Sequence, residues 1–224
     1  MTSAAAPGPI VVINPNSNRA VTAAIDAALG PFRLGGGPVI ECLTLDEGPF
    51  GVESQLDSDS VILPMVRLMQ TRTDAAAFVI ACYSDPGLEA ARSCLPQPVF
   101  GIQEAGVLAA LARADRFGVI ALSEAAAARH RRSLARMQLL DRLAAELPVA
   151  MSVDDSARGA QAFARLRQVG AALKGQGAGA LVLGCAGMAV HRAGLQAELA
   201  VPVIDPTQAA VAQALGALLP DRTP

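Results

Sequence analysis

The stretch AAFVIACYSDPGLEAARSC, residues 76–94, carries the reading of the fold. Its first eight residues are apolar throughout and show neither the alternation of a half-exposed strand nor the length of a helix. Such a run is a strand buried on both faces, as in a parallel sheet covered by helices on each side. It ends in Cys82 and a turn. Asp85 then stands as a helix N-cap with Pro86 at the first helical position, predicting a helix over "DPGLEAARSC". A second stretch, LVLGCAGMAVH at 181–191, repeats the plan: apolar run, cysteine, small-residue turn, helical pattern.

Working outward, the same alternation fills the chain. "PIVVIN" (9–14), "PVIECLTL" (38–45), "PVFGIQ" (98–103), "RFGVIAL" (116–122), "PVAMSV" (148–153), "GALVLGC" (179–185) and "VPVIDP" (201–206) read as further strands. Between them lie Ala/Leu/Arg-rich helical stretches, among them "SVILPMVRLMQ" (60–70), where Pro64 sits early, and "SEAAAARHRRSLARMQLL" after the strand at 116–122. The landmarks recur at a nearly constant offset. Cys82 and Cys185 are 103 positions apart (185 − 82), the strands opening at Gln97 and Val201 are 104 apart (201 − 97), and "VVI" and "GVI" are 107 apart (118 − 11). The fold class expected is α/β, with two pseudo-symmetric lobes, each a mainly parallel sheet flanked by helices, and a cleft between them. The division expected is a disordered tail over 1–8, a first lobe over 9–115 whose C-terminal helix is able to pack on the other lobe, and a second lobe over 116–224.

Composition narrows the function. The 224 residues are 52% hydrophobic and 17% charged, enough to bury a large core, while aromatics are only 3% with no Trp. A formal net charge of −2 offers nucleic acid no general attraction. No apolar run reaches the length of a membrane span. "MTSAAAPGP" lacks the basic and apolar regions of a signal peptide, so a cytoplasmic location with reduced thiols is expected. Four cysteines without a C-x-x-C pair and two histidines, His130 and His191, give a metal site little to work with, and no metal is expected. The glycine clusters "LGGGP" (34–38) and "GQGAG" (175–179) precede strands, whereas a dinucleotide fingerprint follows one.

Cys82 and Cys185 are the chemical candidates. Ligands of open α/β sheets bind beyond the carboxyl ends of strands, and a helix N-terminus there favours a thiolate. If the halves face each other about a pseudo-twofold axis, one thiol stands on each side of a bound carbon. Such a pair inverts a stereocentre beside a carbonyl: one base removes the α-proton, and an acid delivers a proton to the opposite face. General acid–base assistance of this kind is worth about 10²–10⁴-fold. Backbone N–H groups in the turns "YSDPG" and "AGM" are placed to stabilise the enolate oxygen. Plainer readings stand beside this one. Cys42 and Cys94 are small buried hydrophobes, Asn14-Pro15-Asn16 a strand-ending turn, Ser84 and Asp85 a turn and cap, Ser123 a helix N-cap. Glu104 opens a solvated helix, His191 lies on a helix surface, and "RHRRSLAR" (129–136) is a solvated basic face.

The motifs "INPNSN" (13–18), "GPFGVES" (48–54), "ACYSDPGL" (81–88), "GIQEA" (101–105), "LGCAGM" (183–188) and "PVIDP" (202–206) come in one order along nearly the whole chain. With them the chain resembles the hydantoin and allantoin racemases of the aspartate/glutamate racemase superfamily. The resemblance implies two α/β lobes, no cofactor, no metal, a homo-oligomer, and a small-molecule substrate rather than nucleic acid or membrane. It implies Cys82 and Cys185 as the catalytic pair and Asn14, Tyr83, Ser84 and Ser123 as substrate-facing residues. The backbone at Ala186 and Gly187 would bind a carbonyl oxygen. Free-amino-acid racemases tend to carry Thr or Asn after the cysteines, and often His after the second; "CYS" and "CAGM" here favour a neutral cyclic ureide. An amino-acid racemase, a maleate-type isomerase, an arylmalonate-type decarboxylase and a non-catalytic bilobal binding protein remain alternatives, although the decarboxylase needs only one cysteine.

Overall fold

The computed structural model describes residues 8–158 and 161–219. Of the tail expected over 1–8, all but Gly8 lies outside the described residues. The first half runs β1 (Ile10–Asn14), α1 (Arg19–Ala28), β2 (Ile40–Thr44), α2 (Gln55–Ser60), α3 (Ile62–Thr71), β3 (Ala77–Ile80), α4 (Leu88–Cys94), β4 (Val99–Gly101) and α5 (Ile102–Leu111). The second runs β5 (Phe117–Ala121), α6 (Glu124–Arg136), β6 (Leu143–Pro148), α7 (Val153–Arg158), α8 (Ala162–Gly175), β7 (Ala180–Leu183), α9 (Arg192–Leu199), β8 (Val203–Ile204) and α10 (Pro206–Ala217).

Each half forms a four-stranded, wholly parallel sheet, ordered β2-β1-β3-β4 and β6-β5-β7-β8. The orders are the same once the second half is renumbered, so the repeated landmarks report a repeated topology. The central strands β1, β3, β5 and β7 are buried at every residue. Alternate side chains serve opposite faces: Val11, Ile13, Phe78 and Ile80 pack under α3 and α4, while Ile10, Val12, Ala77 and Val79 join a core that continues into the second half. Burying each such aliphatic or aromatic side chain stabilises the fold by roughly 1.5–3 kcal/mol relative to exposure.

The last helix of each half crosses to the other. α5 lies on β5, β7 and β8, and α10 lies on β1, β3 and β4, with α5 and α10 packed together. Their crossing is close: a Cβ on Gly106 of α5 would stand 2.8 Å from the Pro206 side chain at the start of α10. No helix of the described residues is long and apolar enough to cross a membrane.

Three local expectations are corrected. β6 lies at Leu143–Pro148, not 148–153, because the helix-forming residues "LAAEL" are drawn into pairing with β5. The helix after Cys82 begins at Leu88, with Gly87 in the left-handed region (φ 72°) as its N-cap. Asp85 (φ 45°) turns away and caps α5 instead, its carboxylate accepting from the N–H groups of Gln103 and Glu104 at 2.9 Å each.

Candidate active site

Beyond the last paired residues of the central strands the chain enters its site. Ile13 pairs with Ile80, and Ile120 with Leu183; each cysteine follows two positions later. The steps in between are alike, the N–H of Ala81 donating to Ile13 O at 2.8 Å and that of Gly184 to Ile120 O at 2.9 Å. A Cβ at Gly184 would lie 2.5 Å from that carbonyl, so only glycine lets β7 approach β5 this closely before Cys185. Cys82 and Cys185 thereby line one pocket between the halves. Tyr83 and Ser84 accompany the first thiol, Ala186 and Gly187 the second, and Asn16, Val52, Leu122, Arg129, His130 and Val153 are among the residues of the remaining wall.

The thiols differ in their surroundings. Cys82 is half-buried and receives the Ser84 N–H. Cys185 is buried, receives the Gly187 N–H, and touches Ser156 Oγ at 4.0 Å. That hydroxyl donates to Val153 O at 2.8 Å, so its hold on the sulfur is weak. Burial pushes the Cys82 thiol up to about 12; Cys185 and Asp85 add to the rise, while the Ser84 N–H and Arg129 oppose it. Burial raises Cys185 as well, with Glu53 adding to the rise and the Gly187 N–H and Ser156 opposing it. The helix N-terminus expected to favour a thiolate is not at either sulfur: α4 starts six residues beyond Cys82, and Cys185 opens only a short 3-10 helix, Ala186–His191. Burial therefore favours the thiol over the thiolate at both cysteines.

Tyr83, Ser84, Ala186 and Gly187 are therefore gathered around the two cysteines, and two expected residues are not. Asn14 does not face the pocket. Its amide nitrogen is held by Asn16 Oδ1 (2.9 Å) and Thr22 Oγ1 (3.0 Å), and Asn16, two residues on, reaches the wall. Ser123 caps α6 by accepting from the Ala126 N–H at 3.1 Å and borders an outer groove with Glu53 and Met151. Nor is "RHRRSLAR" a solvated face throughout. Arg129 is 9% and His130 2% exposed, and both line the pocket. His130 Nδ1 meets Glu146 Oε1 of β6 at 2.6 Å, and its ring stands edge-on to Tyr83 at 4.8 Å. The signal was present: Ala126, His130 and Leu134 recur every four residues on one helical face. His191, read as a surface residue, is half-buried and donates from Nε2 to Ser156 O at 3.1 Å.

"GPFGVES" has a mechanical role. Glu53 O accepts from Arg129 Nη1 at 3.0 Å and Glu53 Oε1 from the Val153 N–H at 3.0 Å, so this first-half loop is tied to α6 and α7. Asn18 Nδ2 adds a bond to Asp154 at 3.0 Å. Among the described residues no three His, Cys, Asp or Glu side chains converge as a metal site.

Two like-ordered parallel sheets that bring one thiol each to a shared pocket define a class, a two-lobed α/β enzyme with a paired-cysteine cleft. Comparison with known proteins narrows it. The model of the family described as Asp/Glu/Hydantoin racemase matches residues 10–214. A hydantoin racemase of Paenarthrobacter aurescens is 34% identical over 93% of this chain and 91% of its own. Solved allantoin racemases of Klebsiella pneumoniae (TM-score 0.88, 32% identity, 95% of this chain and 88% of that one) and Pseudomonas fluorescens (0.87, 26%, 95% and 91%) share the fold. The chain belongs to the Asp/Glu/Hydantoin racemase family and is a racemase, an isomerase.

Proposed function

We propose that the protein racemises 5-monosubstituted hydantoins or a related cyclic ureide such as allantoin, without a cofactor, using Cys82 and Cys185 as its two bases. The observation that carries the reading is the pair of thiols from equivalent strand ends on one pocket. One sulfur, as thiolate, takes the C5 proton, and the electron pair moves into the adjacent carbonyl as an enolate. The other thiol gives its proton to the opposite face of C5 and is left as the thiolate. Each inversion thus transfers the charge from one cysteine to the other, and the opposite enantiomer resets it. Ser84, Ala186 and Gly187 line the same pocket and are available to a bound ring. Relatives named for hydantoin and for allantoin support the substrate class. The same reading makes the protein a cytoplasmic assembly of identical copies.

Pure enantiomers of benzyl-, isobutyl- and ureido-substituted hydantoins, with free glutamate and aspartate as controls, test the substrate. Loss of optical rotation with a hydantoin but not with the amino acids is the expected result. Activity confined to the amino acids would overturn the reading.

A further inference from the structure

Arg129 is a buried cation that makes no ion-pair contact with a carboxylate among the described residues, Asp57 acting on it only at longer range. No salt bridge of the described residues includes it. Its Nη1 donates to two backbone carbonyls, Glu53 O at 3.0 Å and Ala125 O at 3.4 Å, which fix the plane of the guanidinium. Its Nε is buried without a hydrogen-bond partner. It lines the cysteine pocket and is the one permanently charged side chain among the described residues there. It is close enough to Cys82 for the two charges to act on each other. Burying a cation without an anion is unfavourable, and the deficit is relieved when an anion enters beside it. Burial indeed pulls the guanidinium below its ordinary range.

Racemisation makes one anion that the resting site lacks, the enolate formed when C5 loses its proton. We infer that Arg129 is the oxyanion donor of this site, its Nε–H and charge receiving the ring oxygen that becomes negative. The assignment rests on the two-cysteine reading above but adds a residue to it. It gives Arg129 a task beyond holding the 48–54 loop through Glu53 O. It also predicts that the pocket prefers a planar, negatively charged ring to a neutral one of the same kind.

The probes are barbiturate, an anion that is planar at C5 with its charge on the flanking oxygens, and 5,5-dimethylhydantoin, neutral and without a C5 proton. Calorimetric titration of the unaltered protein should show barbiturate binding at least about tenfold tighter. In Arg129→Gln barbiturate affinity should fall by roughly 10²-fold and dimethylhydantoin affinity by less than about threefold, while kcat/KM falls about 10²–10³-fold, the usual loss for one oxyanion donor. Arg129→Lys should regain part of both losses. Equal weakening of the two ligands would make Arg129 a loop clamp only. An alkaline shift of the pH profile with anion affinity intact would make it a partner of the Cys82 thiolate. No preference for the anion in the unaltered protein would overturn the assignment without any variant. Absence of hydantoin racemisation in the unaltered protein would instead remove the preceding reading, leaving the binding comparison to judge Arg129.

Discussion

The carboxylate that caps the closing helix of the first half comes from the cysteine turn, whereas in the second half it comes from the strand end. Asp85, three residues after Cys82, reaches the N-terminus of α5. Asp205 caps α10 directly, accepting from the Thr207 N–H at 2.8 Å. The counterpart of Asp205, 104 positions earlier, is Gly101, and a Cβ there would stand 2.3 Å from the Asp85 carboxyl. One volume is thus filled from two directions. The consequence reaches the thiols: Cys82 feels a carboxylate from its own turn, Asp85, while Cys185 is followed by the uncharged turn "AGM" and feels one only from the other half, Glu53. A repeated fold has produced two unlike sulfur environments facing one pocket.

The largest effects are expected at the sulfurs. Cys82→Ala and Cys185→Ala are each expected to lower racemisation by at least about 10³-fold, followed by polarimetry; unequal losses, one of them mild, would mean the halves do not share the work. Next in size is pH. The thiol pKa of Cys82 is raised, to about 12, so the thiolate is the minor form at neutral pH and grows about tenfold per unit as pH rises. Initial rates in the free enzyme should climb with that slope from pH 6 to 8, and a flat profile would refute it. Gly101→Ala should cost about 1–3 kcal/mol in thermal or urea unfolding, because the new methyl group collides with Asp85. The smallest effects separate the halves most finely. Asp85→Ala and Asp205→Ala should each cost about 0.5–2 kcal/mol as lost caps. Only Asp85→Ala should also move the rise of activity slightly to lower pH, since Asp85 adds to the rise that burial imposes on Cys82 and Asp205 does not.

The sequence disclosed the repeat because buried parallel strands leave unbroken apolar runs, and because two cysteines end equivalent runs. It disclosed less where one residue type suits two structures. "LAAEL" has helical propensity yet forms β6 beside β5. Asp-Pro-Gly reads as cap and first turn, yet Gly87 in the left-handed region postpones the helix and frees Asp85 for a helix 17 residues downstream (102 − 85). In "INPNSN" the choice between Asn14 and Asn16 as pocket residue depends on Thr22, a partner from the helix beyond. Arg129 looked solvated among its basic neighbours. Its partner Glu53 O lies on the 48–54 loop, far away in sequence.

Deuterium exchange at C5 tests the central claim most directly, with each pure enantiomer of a 5-substituted hydantoin followed by NMR in D₂O. The unaltered protein should place one deuterium in each inverted molecule. Cys185→Ala should still exchange one enantiomer without inverting it, through Cys82 alone, and Cys82→Ala the opposite enantiomer. Exchange of the same enantiomer by both variants, or racemisation surviving in either, would contradict two thiols acting from opposite faces.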